Sequence, residues 1–208
     1  MADLFNEKSK SWDSDVTVKT LSSAIGSLIL EQVPLNAQME VMDFGAGTGL
    51  ISSYVAPLVN KIVAVDISEA MLDKLVSKPE LDGKVEAVCQ DILKTPFDGR
   101  FDLIMSAMAI HHIEDTAKLI QSFSEHLKEG AMIALADLDK EDGSFHPEGT
   151  EGVFHYGFNR DVFEEMLINN GFEDIQFFTA YTVTKAENKF PVFLVVAKKV
   201  NKNQAING

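Results

Sequence analysis

The chain contains a single cysteine, Cys89, among 208 residues, so no intramolecular disulfide can staple it and a buried apolar core must hold the fold. Cations are also scarce. Eighteen Lys and Arg stand against 32 Asp and Glu, a net charge of −14, whereas proteins that track phosphate backbones need clustered positive charge. Nucleic acid is therefore excluded as an expected partner. Lysines gather only near the end, in AKKVNKN, and there they read as a solvated, frayed terminus. Long apolar runs are missing: nothing approaches the roughly 18 residues of a membrane span, and MADLFNEKSK has no signal-peptide character. The expectation is a cytoplasmic protein, a monomer or homodimer, that avoids membranes. Internal repeats and low-complexity tracts are not evident.

What is present suits one α/β domain. Hydrophobic residues make up 46% of the chain, and short apolar runs alternate with amphipathic stretches, as when strands feed helices across a parallel sheet. The spacing of Leu21, Ala24, Ile25, Leu28 and Ile29 predicts a first helix over Val16–Gln32. Strands are expected at Glu40–Phe44, Lys61–Asp66, Val85–Cys89, Phe101–Ser106 and Ala131–Ala136. Further helices are expected to begin at Thr48 or Gly49, at Ser68, over Glu114–Leu127, and over Asn159–Asn169, with Asn170-Gly171 as the left-handed stop. Glu173–Thr179 and Phe190–Lys198 then read as an antiparallel hairpin at one edge, joined by TAYTVTKAEN. Residues 1–15 and 138–158 lie outside this alternation, the second about twenty residues long, and both are candidate lids.

Between Val41 and Leu50 the sequence reads VMDFGAGTGL. A strand that ends in closely spaced glycines and turns straight into a helix aims unpaired backbone N–H groups into a crevice at the carboxyl edge of the sheet. Asp66 ends the next strand about twenty residues later, where such folds put an acid on ribose hydroxyls. Two adenosine-bearing cofactors fit, a nicotinamide dinucleotide and S-adenosylmethionine. A dinucleotide fingerprint wants a small residue five places after the first glycine, and Leu50 stands there. Asp43 would repel a pyrophosphate and attract a sulfonium or ammonium, so charge points the same way.

In the motifs VMDFGAGTG, IVAVDIS, CQDIL, FDLIMSAMAIHHIED, LKEGAMIALADL and FPVFLVVAKK, residues 36–198 resemble the class I S-adenosylmethionine-dependent methyltransferases, small-molecule branch. The resemblance implies a Rossmann-like, doubly wound α/β fold: a seven-stranded sheet, mostly parallel with an antiparallel last strand, and helices on both faces. It divides 1–208, as a single domain, into an N-terminal lid and helix region (1–35), a core (36–198) and a flexible tail (199–208). It implies S-adenosylmethionine as cofactor, S-adenosylhomocysteine as product and a small-molecule acceptor. It places Asp43, Gly45, Gly47 and Gly49 along the methionine portion and Asp66 on the ribose. Ile67 and Met71 fall against the adenine, Asp91 and the backbone of Ile92 at its amino group, and Ser106 and Ala107 beside the transferable methyl.

Methyl transfer needs alignment and exclusion of water more than strong acids or bases. Where a base helps, histidine suits neutral pH, and His111 and His112 follow strand four at the mouth of the crevice. His126 and His146 read as surface residues. No spacing among histidines, Cys89 and acids resembles a metal cage, and a metal-independent reaction is expected. Phe5 and Trp12 read as a terminal staple or a lid. FHYGF reads either as a cover over the acceptor or as a plug for the edge hairpin. A nicotinamide-dependent oxidoreductase, a non-catalytic cofactor-binding module and a protein-methylating enzyme are the alternatives.

Overall fold

Apolar side chains alternate between two faces of one sheet. The computed structural model describes residues 5, 7, 9–95 and 97–201. Val41, Ile62, Ala64, Leu103 and Met105 join one core cluster, and their neighbours Met42, Val63, Val65 and Ile104 join the other. That period of two buries both faces of each central strand. The sheet has seven strands in the order β3-β2-β1-β4-β5-β7-β6. They are β1 (Glu40–Phe44), β2 (Lys61–Asp66), β3 (Val85–Cys89), β4 (Phe101–Ala107), β5 (Leu127–Leu138), β6 (Phe172–Lys185) and β7 (Asn188–Lys199). β7 lies antiparallel between β5 and β6, while β1 to β5 are mutually parallel.

Helices α1 (Val16–Gln32), α2 (Leu50–Val55) and α3 (Glu69–Val76) cover one face through Ile25, Ile29, Val55, Leu72 and Leu75. Helices α4 (Thr116–His126) and α5 (Arg160–Asn169) cover the other through Leu119, Phe123, Phe163 and Leu167. Their starts are set locally. Asp15 accepts from the backbone N–H of Thr17 and Val18 at 2.7 and 3.1 Å, Ser68 caps α3, and Asn159 caps α5. No helix among the described residues is long and apolar enough to cross a membrane.

Several boundaries differ from expectation. β5 begins at Leu127, which pairs with Phe101 four residues before the predicted start, and the exposed Lys128–Gly130 bulge displaces the register. TAYTVTKAEN is mostly strand: β6 continues to Lys185 and β7 resumes at Asn188. Its Thr, Val and Tyr alternate with a period that suits a half-buried edge, and Val183 and Phe190 are buried in the core cluster beneath α1. His126 is not a surface residue. It is 5% exposed, its Nδ1 lies 2.6 Å from the carbonyl oxygen of Ser122, and its Nε2 accepts the N–H of Phe97 at 3.0 Å.

Strand order reverses between β1 and β4, the place where open α/β sheets leave a crevice beyond their carboxyl ends.

Candidate active site

The crevice is a cavity of about 870 Å³, walled by residues at the carboxyl ends of β1, β2, β3 and β4. After β1 the chain turns at Gly45 (φ 66°) and Gly47 (φ 54°). The N–H groups of Gly45 and Ala46 donate to the Val65 carbonyl at 2.8 and 3.2 Å, which pins this loop to β2. A Cβ on Gly45 would stand 2.4 Å from that of Ala109, so the position admits only glycine on two counts. Gly45→Ala is expected to destabilise the fold by about 2–4 kcal/mol, read as a Tm drop of roughly 5–15 °C. A melt within about 2 °C of wild type would contradict the packing described. Gly47 is different: no atom lies within 4 Å of where its Cβ would be. The backbone there is bare toward the cavity, which fits the close approach of a nucleoside ligand.

Asp66 ties the two cofactor-side loops together. Its Oδ2 accepts the Gly47 N–H at 2.8 Å and its Oδ1 the Ser68 N–H at 2.9 Å. Asp43 sits deeper, 1% exposed, and accepts from the Ser52 hydroxyl at 2.7 Å. Burial pushes its carboxyl up to about 7, and the Asp66 charge adds to this against the opposing Ser52 hydrogen bond. Burial likewise raises Asp66. Two carboxylates at the floor of one cavity, both costly to ionise without a counter-charge, form a site that favours a cationic ligand. Asp91 follows β3; burial opposes its ionisation, but Lys94 at 2.9 Å and backbone N–H groups outweigh that and hold its carboxyl below the usual range.

The N-terminal segment closes one side. Phe5, Trp12, Val18 and Leu21 wall the cavity. Asp13 accepts the Thr48 hydroxyl at 2.5 Å and pairs with Lys78 at 2.9 Å, so the strap before α1 is fastened to the glycine loop.

At the far end β4 leaves the sheet through Met108, at φ 57°, into the short turn Ile110–His112. His111 is 1% exposed, and its Nδ1 lies 2.7 Å from Oδ1 of Asp137 on β5. A carboxylate only accepts, so Nδ1 carries a proton. Asp137 also accepts the backbone N–H of His111 and of Leu138. Its burial would raise its carboxyl, yet His111 and these donors together hold it below the ordinary range, ionised. His112 Nδ1 lies 2.7 Å from the Gly152 carbonyl oxygen. The segment 139–158 wraps this turn rather than hanging free. Phe154 and His155 donate backbone N–H to the His111 carbonyl at 3.1 and 3.2 Å, and Arg160 grips Asp139 through two hydrogen bonds of 2.7 Å.

Of the residues singled out from sequence, Asp43, Gly45, Gly47, Asp66, Ile67 and Met71 line the cavity. Asp91, Ala107, His111 and His112 line it as well. Gly49, Ile92 and Ser106 do not. Gly49 begins α2, and its Cβ direction meets Leu75 and Leu81 of the core. Ile92 is buried in the cluster on the α4 face, and Ser106 is 0% exposed inside β4, its hydroxyl without a hydrogen-bond partner among the described residues. FHYGF divides between its two readings: Phe154 lines the cavity, whereas Phe158 packs on Phe163 at 5.2 Å in the core. The Asp137–His111 pairing is not legible in the sequence, where His146 reads as a surface residue. His146 in fact lies in the cavity wall, its Nε2 3.2 Å from that of His111. No signal in the sequence joins two histidines thirty-five positions apart.

Residues 41–130 match the family model described as a methyltransferase domain. The chain is 31% identical over 165 residues to an uncharacterised methyltransferase of Schizosaccharomyces pombe, covering 72% of this chain and 57% of that one. It is 28% identical over 142 residues to a ubiquinone biosynthesis O-methyltransferase of Xanthomonas euvesicatoria pv. vesicatoria, covering 64% and 58%. It thus spans somewhat over half the length of these curated relatives. Among solved structures, phosphoethanolamine N-methyltransferase 2 of Haemonchus contortus in complex with S-adenosyl-L-methionine superposes with a TM-score of 0.71 at 18% identity, over 95% of this chain and 60% of that one; at that identity the likeness is one of fold. Sheet order, glycine loop, strand-end acid and sequence relatives agree in supporting a class I S-adenosylmethionine-dependent methyltransferase.

Proposed function

We propose that this chain transfers a methyl group from S-adenosylmethionine to a small-molecule acceptor held at the histidine end of the cavity. One observation carries the reading: a single cavity joins a carboxyl-lined floor, Asp43 and Asp66, to a far end where an ionised carboxylate holds a histidine. Asp43 faces the cationic amino-acid end of the cofactor, and Asp66 takes the ribose diol while keeping the Gly47 loop in place. Ile67 and Met71 pack on the adenine, with Asp91 at its amino group. An acid beside the glycine loop also disfavours the pyrophosphate of a dinucleotide. A cavity of about 870 Å³ is near the upper end for small-molecule sites and leaves room for two ligands.

Bound there, S-adenosylmethionine supplies a methyl carbon already activated by its sulfonium. The chain's residues align and seal. Phe145, edge-on to His146 at 4.9 Å, limits water at the far end. His111 would take the acceptor's proton at Nε2, and Asp137 would stabilise the resulting imidazolium. The O-methylation in the name of the Xanthomonas relative supports an acceptor with an acidic hydroxyl.

Calorimetry with S-adenosylhomocysteine tests the cofactor half: no binding at millimolar concentration overturns it. For the chemistry, Asp137→Asn is expected to lower kcat by about 10²-fold or more while leaving the KM for the cofactor unchanged. A merely structural role for Asp137 would move both together or neither.

A further inference from the structure

We propose that His111, His112 and His146 form a binding site for a late first-row divalent cation, zinc foremost, at the acceptor end of the cavity. Each of the three offers one ring nitrogen, and the three nitrogens lie within 4.8 Å of one another. The pair at His111 and His146 is the sharpest observation, with Nε2 to Nε2 at 3.2 Å. Two nitrogens on a tetrahedral zinc at about 2.0–2.1 Å stand roughly 3.3 Å apart, so these two already hold the spacing of co-ligands. The ligand atom of the third, His112, stands within 4.8 Å of both.

The supports behind the rings fit the same purpose. Metal-bound histidines commonly give their other N–H to a carboxylate or a backbone carbonyl, which fixes the tautomer and makes the ligand nitrogen more basic. His111 is set so by Asp137 at 2.7 Å and His112 by the Gly152 carbonyl oxygen at 2.7 Å. Phe5 stands edge-on to His112 at 5.2 Å and Phe145 edge-on to His146 at 4.9 Å, an apolar surround that strengthens metal–imidazole bonds by excluding water. Three neutral imidazoles select the late first-row ions over magnesium or calcium, and the chain's net charge of −14 draws cations to it. Three protein ligands leave a fourth position toward the cavity. An ion there occupies the lone pair that His111 needs for the acceptor's proton, so metal loading and base catalysis by His111 exclude each other. This is a property the sequence spacing hides, because His146 comes from the wrapped segment and the other two from the turn after β4.

The test uses the untagged full chain, wild type and Cys89→Ser, so that the exposed thiol contributes nothing, and needs neither cofactor nor acceptor. Cobalt(II) titration is expected to give the intense visible spectrum of a four-coordinate ion, saturating at one equivalent. Zinc competition against a chromophoric chelator is expected to show a Kd at least about 100-fold weaker in His146→Ala, His146→Gln and His112→Ala, since losing a ligand must cost more than losing an outer partner. Near-UV circular dichroism in EDTA establishes that each variant is folded. The faint spectrum of six-coordinate cobalt, or zinc affinity equal in wild type and all three variants, would overturn the site and leave the His111–His146 contact as a shared proton. Because S-adenosylhomocysteine binding is measured separately, failure of the metal site and failure of the methyl-transfer reading are told apart.

Discussion

Asp66→Ala is expected to weaken S-adenosylhomocysteine binding by about 10- to 150-fold, the span that a hydrogen bond to a charged group commands at roughly 1.5–3 kcal/mol. The carboxylate has two jobs in one place. It accepts N–H groups from Gly47 and Ser68, holding the glycine loop and the start of α3 in register, and it lines the cavity, where we propose that it holds the ribose diol. Asp66→Asn is expected to fall within the same range, because an amide offers only one accepting atom where two N–H groups now converge on two oxygens. Calorimetry on both variants decides the matter. A Kd within about threefold of wild type for Asp66→Ala would show that the sugar lies elsewhere.

Cofactor affinity is expected to depend on pH through Asp43. In the free protein burial and the neighbouring Asp66 raise its carboxyl to about 7, from an ordinary 3.8, whereas a cationic ligand favours the ionised form. Below pH 7 binding must first remove a proton, so S-adenosylmethionine affinity should fall about tenfold per pH unit and level off above neutrality. Calorimetry in two buffers of different ionisation enthalpy would count the released proton, and Asp43→Asn should flatten the profile. A pH-independent Kd between pH 5.5 and 8 would refute a cation at this carboxylate.

Stability carries the opposite signature. A carboxyl raised in the folded state binds its proton more tightly there than in the unfolded chain. Its contribution is fully present below about pH 4 and is lost as pH rises through about 7. The ligand-free Asp43→Asn chain should therefore melt above wild type at pH 8, by a margin with a ceiling of about 4 kcal/mol, and the two should converge in acid. The protein holds an unfavourable buried charge in reserve, which the proposed cationic ligand would relieve.

How much of this was legible depended on whether the signal was local. The α1 helix and the strands β1 to β3 match their expected bounds, because a period of two or of 3.6 in apolar residues is written in neighbouring positions. The glycine loop was legible for the same reason: Gly45 and Gly47 serve a backbone that turns where they stand. β5 and β6 outran their expected ends because Leu127 and Val183 are strand residues by virtue of partners far away, Phe101 across the sheet and the core under α1. The same distance hid half of the far site. Nothing local joins Asp137 to His111, and His126 and His146 read as surface residues, since Phe97 and His111 reach them from other elements.

The amino-acid sequence by itself determined most of the strands and helices and a carboxylate-lined glycine turn suited to a cationic nucleoside, since each follows from side-chain period, backbone freedom and charge within a few residues. Only the tertiary structure decided which groups meet at the other end. Asp137 reaches His111 because β4 and β5 lie side by side, and His146 reaches it because the segment after β5 is stapled over the turn by Phe154, His155 and Arg160. Those contacts are set by packing between distant parts of the chain, and no local spacing encodes them.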